Sequence, residues 1–388
     1  MSDIVILNGF RTPIGSFNGY YKDTPTPELG AAAIKACFAT TKLDVSKIDG
    51  VNMGCVLTAG LGQAPARQAA IAAGLSIHTP CVTINKMCAS GLQAILNAYD
   101  SIKAGSQQIM IAGGMENMTR APYLIPQARF GYRYGHAQLL DHMQKDGLQD
   151  AYDDQSMGVH AEACATQFKF NREQQDQFAL ESLTRAQTAT HNGAFDNEII
   201  AVELPKEKIT LDEGPQRIKA EKIPLLRPAF IENGTITAAN ASSIADGAAA
   251  VTLTTATYAT QLSITPIARI IGHYTYAHQP AWFTTAPIQA IKGLLTKINW
   301  SIESVDLFEI NEAFACVTMA AIHELNIAPE RVNINGGACA LGHPIGATGA
   351  RILVTLIHAL KNHQLQRGIA ALCIGGGEAS AIAIELIN

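Results

Sequence analysis

Four short stretches carry residues that could do chemistry. In Asn85-Lys86-Met87-Cys88-Ala89-Ser90-Gly91 a cysteine follows an apolar run, Cys81 to Ile84, that reads as a buried strand. After it, Leu92, Ile95, Leu96, Tyr99 and Ile102 are spaced as one face of a helix, and Gly105 closes that helix. Cys88 therefore falls where a strand feeds a helix N-terminus. Unpaired N–H groups and the helix dipole there favour an anion, so a thiolate is expected to form more easily. The same N–H groups could hold an oxyanion on an attacked carbonyl. The second stretch, Asn311-Glu312-Ala313-Phe314-Ala315, sits at another strand-to-helix turn. The third runs from Asn335 through Gly342-His343-Pro344-Ile345-Gly346 to Arg351, and the fourth, Cys373-Ile374-Gly375-Gly376-Gly377-Glu378, closes a strand. Singly, each has an ordinary reading. Cys88 could be a small buried hydrophobe, Asn311 a helix N-cap, His343 a satisfied loop histidine and Cys373 a packing residue.

The elements that must position them alternate between strand and helix. Ile4 to Leu7 reads as a strand, Leu29 to Thr40 as a helix, Ile48 to Gly54 as a turn entering a strand and Pro65 to Ala73 as a helix. The strand Gln108 to Ala112 is expected to end in Gly113-Gly114-Met115-Glu116. This alternation implies a mostly parallel sheet with helices on its faces. From Thr119 to about Asn240 the chain is more charged and less regular. One helix stands out there, Glu173 to His191, capped by an Asn171/Gln174 box. Insertions on a rigid scaffold commonly carry substrate contacts. The sheet pattern resumes near Ser243, with strands from Ala248 to Thr254 and Ile267 to Ile271 and a helix from Pro287 to Lys297. Val305 to Ile310 then echoes Ile48 to Met53, Arg331 to Asn335 echoes Cys81 to Asn85, and the end of the strand Ile369 to Cys373 echoes Gly113 to Glu116. The chain reads as an internal duplication of one α/β unit.

Composition removes several classes of function. At 388 residues, 48% hydrophobic and 16% charged, the chain suits two or three domains with a large core. A net charge of -5 argues against a nucleic-acid partner. No apolar run is long enough to span a membrane. The opening on Ile4-Val5-Ile6-Leu7, with no basic or Arg-rich leader, reads as cytoplasmic. The eight cysteines are scattered without a C-x-x-C pair, which favours free thiols, and no Cys/His spacing points to a metal site. Gly60-Leu61-Gly62 has only a weak flavour of a dinucleotide loop, spoiled by Pro65 and by the lack of an acidic partner.

Taken together, the four motifs resemble those of the thiolases, in order and over nearly the whole chain. The resemblance implies an α/β thiolase-like fold: two duplicated sheet domains in five layers, α-β-α-β-α, with a large loop-domain insertion. The expected halves are residues 1–118 with about 243–265, and 266–388, flanking a CoA-binding loop domain at 119–242. Asp146-Gly147-Leu148 through Asp150-Ala151-Tyr152, and Met157-Gly158 through Ala161-Glu162, are most similar to the biosynthetic acetyl-CoA acetyltransferase branch. The implied reaction is ping-pong acyl transfer between CoA thioesters, with acetyl-CoA, acetoacetyl-CoA and CoA as substrates and products and no resident cofactor. By resemblance Cys88 is the nucleophile, His343 its base and Cys373 the second acid/base. One oxyanion hole would come from His343 and a water held by Asn311, the other from the N–H groups of Cys88 and Gly375. A Cβ at Gly375 would crowd the bound carbonyl. Leu148, Met157, Phe230, Ala238 and Phe314 would line a pantetheine tunnel, with Ser242 near the pantetheine, Phe283 near the acyl group and Arg217 near the adenine. Lys219, Lys222 and Arg227 suit phosphate groups.

The biosynthetic members usually have a histidine before the Met-Gly pair. Ser156 stands there in this chain, which implies a roomier acyl pocket, and His160 is expected on another face. A degradative 3-ketoacyl-CoA thiolase is the first alternative, and a non-catalytic acyl-CoA or lipid carrier is the alternative from another class. A decarboxylating ketoacyl synthase would need His-His or His-Asn beside its cysteine. Family members are dimers or tetramers. The excursion from Arg120 to His142 resembles the segment that joins dimers, so a homotetramer is expected.

Overall fold

Ile4-Val5-Ile6-Leu7 is fully buried within the strand β1 (Ile4–Arg11), as an apolar run covered on both faces should be. In the computed structural model, which describes residues 2–41 and 43–387, eight long strands follow. They are β2 (Gly50–Gly54), β3 (Cys81–Ile84), β4 (Ile109–Asn117), β5 (Ala245–Thr255), β6 (Ala268–Ala277), β7 (Leu307–Ile310), β8 (Arg367–Ile374) and β9 (Glu378–Leu386). With the two-residue strand Gly15–Ser16 on β5, they make one ten-stranded sheet in the order β7-β8-β9-β6-β1-β5-β4-β2-β3.

Cut between β6 and β1, that sheet becomes two copies of one pattern. In the first half β1, β5 and β4 pair antiparallel, then β2 and β3 add in parallel. In the second, β6, β9 and β8 pair antiparallel and β7 adds in parallel. The duplication read from the sequence is therefore present in the topology. The halves join edge to edge, through Val5↔Arg269 and Ile6↔Ala268.

Three expectations are corrected. The sheet is not mostly parallel: among the described strands only the β2–β3, β2–β4 and β7–β8 pairs run parallel, and β8 and β9, joined by the short Gly375–Gly377 turn, pair antiparallel as a tight connection requires. Arg331 to Asn335 does not form the counterpart of β3 and leaves only a Phe308↔Val332 bridge. A 3-10 turn at Pro329–Arg331 and a left-handed Asn333 (φ +48°) take the chain away from the sheet. The Asn333 side chain replaces the missing ladder, accepting from Ile310 N–H and donating to Ile310 C=O, both at 2.8 Å. Likewise Gly113-Gly114 does not begin the end of the strand but lies inside β4, which runs on to Asn117. A Cβ on Gly113 would stand 2.0 Å from Ala249 O, and one on Gly114 would stand 2.0 Å from Gly346 O. These glycines serve close backbone approach.

Among the described residues, eight helices of eight residues or more complete the frame. They are α1 (Thr26–Ala39), α2 (Pro65–Ala72), α3 (Ser90–Lys103), α4 (Met157–Phe168), α5 (Arg172–His191), α6 (Ala286–Ile298), α7 (Ala315–Leu325) and α8 (Thr348–Asn362). α1 and α2 cover the outer face of the first half, and α6 covers that of the second. α3 and α8 lie between the halves, giving the α-β-α-β-α order. Every residue of α8 from Thr348 to Leu360 is buried, as a central layer requires.

Between β4 and β5 the chain makes its long excursion, with α4, α5 and only two-residue ladders. The Asn171/Gln174 capping box is formed at the start of α5. The excursion is tied to the sheet by the fully buried Arg11. Its guanidinium donates to both Asp212 oxygens, at 2.7 and 2.9 Å, and to Glu198 at 2.5 Å. Within the excursion, the buried Glu162 carboxylate accepts from Thr235 N–H and Ile236 N–H, which fixes the following loop onto α4.

Candidate active site

The turn that carries Cys88 is built from its own side chains. Asn85 Oδ1 accepts from Met87 N–H at 3.0 Å. Ser90 Oγ accepts from Lys86 N–H at 2.8 Å and donates to Met87 C=O at 2.6 Å. These bonds hold Met87 at φ +47°, a left-handed conformation that is costly for a non-glycine residue. The twist sets Cys88, half-buried, before the first turn of α3. Lys86 pairs with Glu378, so this turn is clamped to the Gly375–Gly377 turn that joins β8 to β9.

The electrostatics differ from the expectation of an easily formed thiolate. Burial pushes the Cys88 thiol up to about 11, and the Glu116 carboxyl adds to that. The N–H groups of Gly375 and of Cys88 itself pull the other way, so both point at the sulfur. Desolvation outweighs the helix-terminus effect, and Cys88 rests as a thiol. Burial lowers His343 to about 3, with the nearby Arg351 guanidinium assisting, so its imidazole rests neutral. Thr348 Oγ1 lies 2.6 Å from His343 Nδ1 and donates to Pro344 C=O at 3.0 Å. A hydroxyl already donating accepts from Nδ1–H, and that leaves Nε2 unprotonated, 3.5 Å from Asn311 Nδ2. This is a base-competent tautomer.

Asn311 follows β7, and its N–H extends the ladder to Ala371 C=O. It is not a helix cap: Phe314 holds the N-cap position of α7. Its Oδ1 is buried without a hydrogen-bond partner. Cys373, at the end of β8, is fully buried, and its thiol is raised well above the ordinary value by burial and then by the charge of neighbouring Cys88. The two sulfurs are thus neighbours although 285 residues separate them in the chain.

A cleft of about 550 Å³ opens onto this group. Cys88, His343 and Gly375 line its floor, while Asn311 and Cys373 are buried outside its lining. Its walls include all eight residues expected to bind substrate: Leu148, Met157, Arg217, Phe230, Ala238, Ser242, Phe283 and Phe314. A Cβ on Gly375 would meet only Met157 Sδ at 3.5 Å and Met87 Cε at 4.0 Å, so protein packing does not demand this glycine. Arg217 is 56% exposed and paired with Glu213 at 2.8 Å. Lys219, Lys222 and Arg227 are exposed and do not line the cleft. Ser156 lines it, whereas His160 stands behind Phe283 with its ring edge-on at 6.4 Å. Sequence reasoning passed over Thr348 and Met87. The signal for Thr348 was its place at the start of α8, five residues after the histidine.

Comparison with known proteins agrees with this arrangement. Residues 4–257 match the family model "Thiolase, N-terminal domain" and residues 264–386 match "Thiolase, C-terminal domain". The chain belongs to the thiolase family, and it is an acyltransferase enzyme. An acetyl-CoA acetyltransferase of Pseudomonas aeruginosa is 45% identical over 390 residues, 99% of each chain. A probable acetyl-CoA acyltransferase of Staphylococcus aureus is 45% identical over 391 residues, again 99% of each. Among solved structures, the Acat5 thiolase of Ascaris suum in complex with coenzyme A superposes with a TM-score of 0.95 at 43% identity, covering 99% of this chain and 100% of that one. The Bacillus anthracis acetyl-CoA acetyltransferase gives 0.96 at 38% identity, covering 100% and 99%.

Proposed function

We propose that this enzyme is an acetyl-CoA C-acetyltransferase that condenses two acetyl-CoA to acetoacetyl-CoA and CoA and catalyses the reverse thiolysis. The observation that carries this reading is the meeting of Cys88, His343 and Gly375 on one cleft floor, with Cys373 beside Cys88. In the first half-reaction Cys88 sulfur attacks the thioester carbonyl as its proton passes to His343 Nε2. Cys373 protonates the departing CoA sulfur and becomes a thiolate. The N–H groups of Cys88 and Gly375 hold the tetrahedral oxyanion, each such contact contributing about 2.7–4 kcal/mol. In the second, the Cys373 thiolate takes a methyl proton from the next acetyl-CoA. The enolate oxygen is held by protonated His343 and a water on Asn311 while the enolate carbon attacks the acetyl group. Cys88 then leaves and recovers its proton from His343, so all protons balance over the cycle. The apolar walls from Leu148 to Phe314 suit a pantetheine arm, and Arg217 at the rim suits the nucleotide end.

The domain boundaries proposed are 1–118 with 243–265, 119–242 for CoA binding, and 266–388. The homotetramer proposed rests on the excursion, where Tyr123, Phe130, Tyr134 and Leu139 are exposed on the single chain. No helix among the described residues is long and apolar enough to cross a membrane. The decisive experiment is brief incubation with acetyl-CoA followed by intact mass and peptide mapping. An acetyl group on Cys88 is expected, and an unmodified protein overturns the mechanism. One observation favours a second reading: the small Ser156 on the cleft wall leaves room for longer acyl chains. A strong preference for C8 over C4 3-ketoacyl-CoA in thiolysis would make the enzyme a degradative thiolase instead.

A further inference from the structure

Outside the cleft, one cluster of side chains holds two buried polar atoms without a hydrogen-bond partner. Gln149 and Ser156 form an antiparallel bridge that closes a tight hairpin just ahead of α4. Within it, Asp150 Oδ1 accepts from Tyr152 N–H at 2.8 Å and Asp153 N–H at 3.3 Å. The other oxygen, Asp150 Oδ2, is buried and has no partner. On the first turn of α4, His160 Nε2 is likewise buried without a hydrogen bond. Asp150 and His160 are 3% and 6% exposed. Asp153, whose side chain is 47% exposed, accepts from Gln155 N–H at 3.0 Å through Oδ1 and brings that oxygen to 3.5 Å from His160 Nε2. One donor atom from each residue lies within 4.8 Å of the other two.

A separation of 3.5 Å is poor for a hydrogen bond but close to that between two ligands of one tetrahedral zinc, about 3.3 Å for bonds of about 2.0 Å. An Asp153–His160 ion pair would still leave Asp150 Oδ2 orphaned, at a desolvation cost. A cation satisfies both orphaned atoms, Asp150 Oδ2 and His160 Nε2, together. We propose that Asp150, Asp153 and His160 form a binding site for a divalent ion of the zinc class. One imidazole and two carboxylates suit zinc better than magnesium, which takes oxygen ligands in octahedral geometry. The expectation that the chain binds no metal came from Cys/His spacing, which a carboxylate-rich set escapes. Exposed Asp153 gives the ion its entry, and the exchange-labile water would occupy the remaining coordination position.

The site is a structural clamp beside the cleft. It would pin the hairpin to α4, between Leu148 and Met157, and fix the His160 ring against Phe283. The inference stands apart from the reaction proposed above.

The test is titration of chelator-stripped enzyme with Co2+ as a spectroscopic stand-in for zinc, alongside calorimetry with Zn2+ and Mg2+. Expected are a visible low-coordinate Co2+ band saturating at one ion per chain, displaced by Zn2+ and not by Mg2+. Asp153→Asn, at a half-exposed position where folding is safe, should weaken Co2+ by more than about tenfold, the cost of losing even an outer-shell partner. His160→Ala should abolish the band. Hydrogen exchange across residues 149–156 should slow when Zn2+ is added to the unsubstituted enzyme. Absence of binding, unchanged affinity in Asp153→Asn, equal competition by Mg2+, or a thiolate charge-transfer band in place of the visible band each overturns the site.

Discussion

In the proposed reaction Cys88 is a nucleophile held in reserve. Its sulfur receives two N–H groups, yet burial still raises the thiol to about 11. His343, near 3, does not hold its proton at rest. At rest the two groups do not form a thiolate–imidazolium pair, so the proposed attack couples to proton transfer. The sign is testable. The thiolate is the alkylated species, so the rate of Cys88 modification by iodoacetamide should rise about tenfold per pH unit from pH 7 to 10. A plateau already reached near pH 7 would reveal a preformed thiolate. The two sulfurs should separate by step: Cys88→Ser loses the acetyl adduct and most turnover, whereas Cys373→Ser retains acyl transfer to Cys88 and loses condensation. Stopped incubation with acetyl-CoA and mass spectrometry reads both. Thr348 orients His343, the proposed base, by accepting from its Nδ1–H. Thr348→Val should lower kcat by about a hundredfold, in the range of general-base contributions, with little change in KM. Thr348→Ser, which keeps the hydroxyl, should recover most of the loss.

At the scale of elements, the motifs were legible because each is local. A strand, a turn and a helix N-terminus lie within one run of residues, and periodicity marks all three, so Cys88, Asn311 and Cys373 were found at their strand ends. Two readings failed where glycine and asparagine have more than one use. Gly113-Gly114 carries the composition of a turn but lies in β4, because the backbone at Ala249 and Gly346 comes too close for a Cβ. Gly114→Ala should therefore cost about 3 kcal/mol or more, by overpacking against backbone that cannot swing aside. It should also depress activity, since Gly346 belongs to the loop of His343. Denaturant unfolding and kcat together check this, and a stable, active variant would contradict the packing. Asn333 imitates a strand through its side chain, so the second half lacks the edge strand that its first-half counterpart has.

Across the whole molecule, two duplicated half-sheets meet edge to edge and the excursion closes over the ends of their strands. Arg11 on β1 locks that excursion through Glu198 and Asp212, all three fully buried or nearly so. Removing one partner leaves buried charge uncompensated, so Arg11→Ala should destabilise the enzyme by about 3–5 kcal/mol, read by denaturant midpoint. Because this anchor serves the excursion, cleft residues such as Arg217 and Phe230 should become protease-accessible in that variant before the sheet unfolds. The chain alone determined its family, the duplication and the strand ends that carry reactive groups, since these follow from contiguous residues and short periods. Only the tertiary structure decided the protonation states of Cys88 and His343, the partnership of Thr348 with the imidazole, and the approach of Asp150 and Asp153 to His160. Those depend on desolvation and on atoms brought together from distant segments, and neither quantity is a property of any local run of sequence.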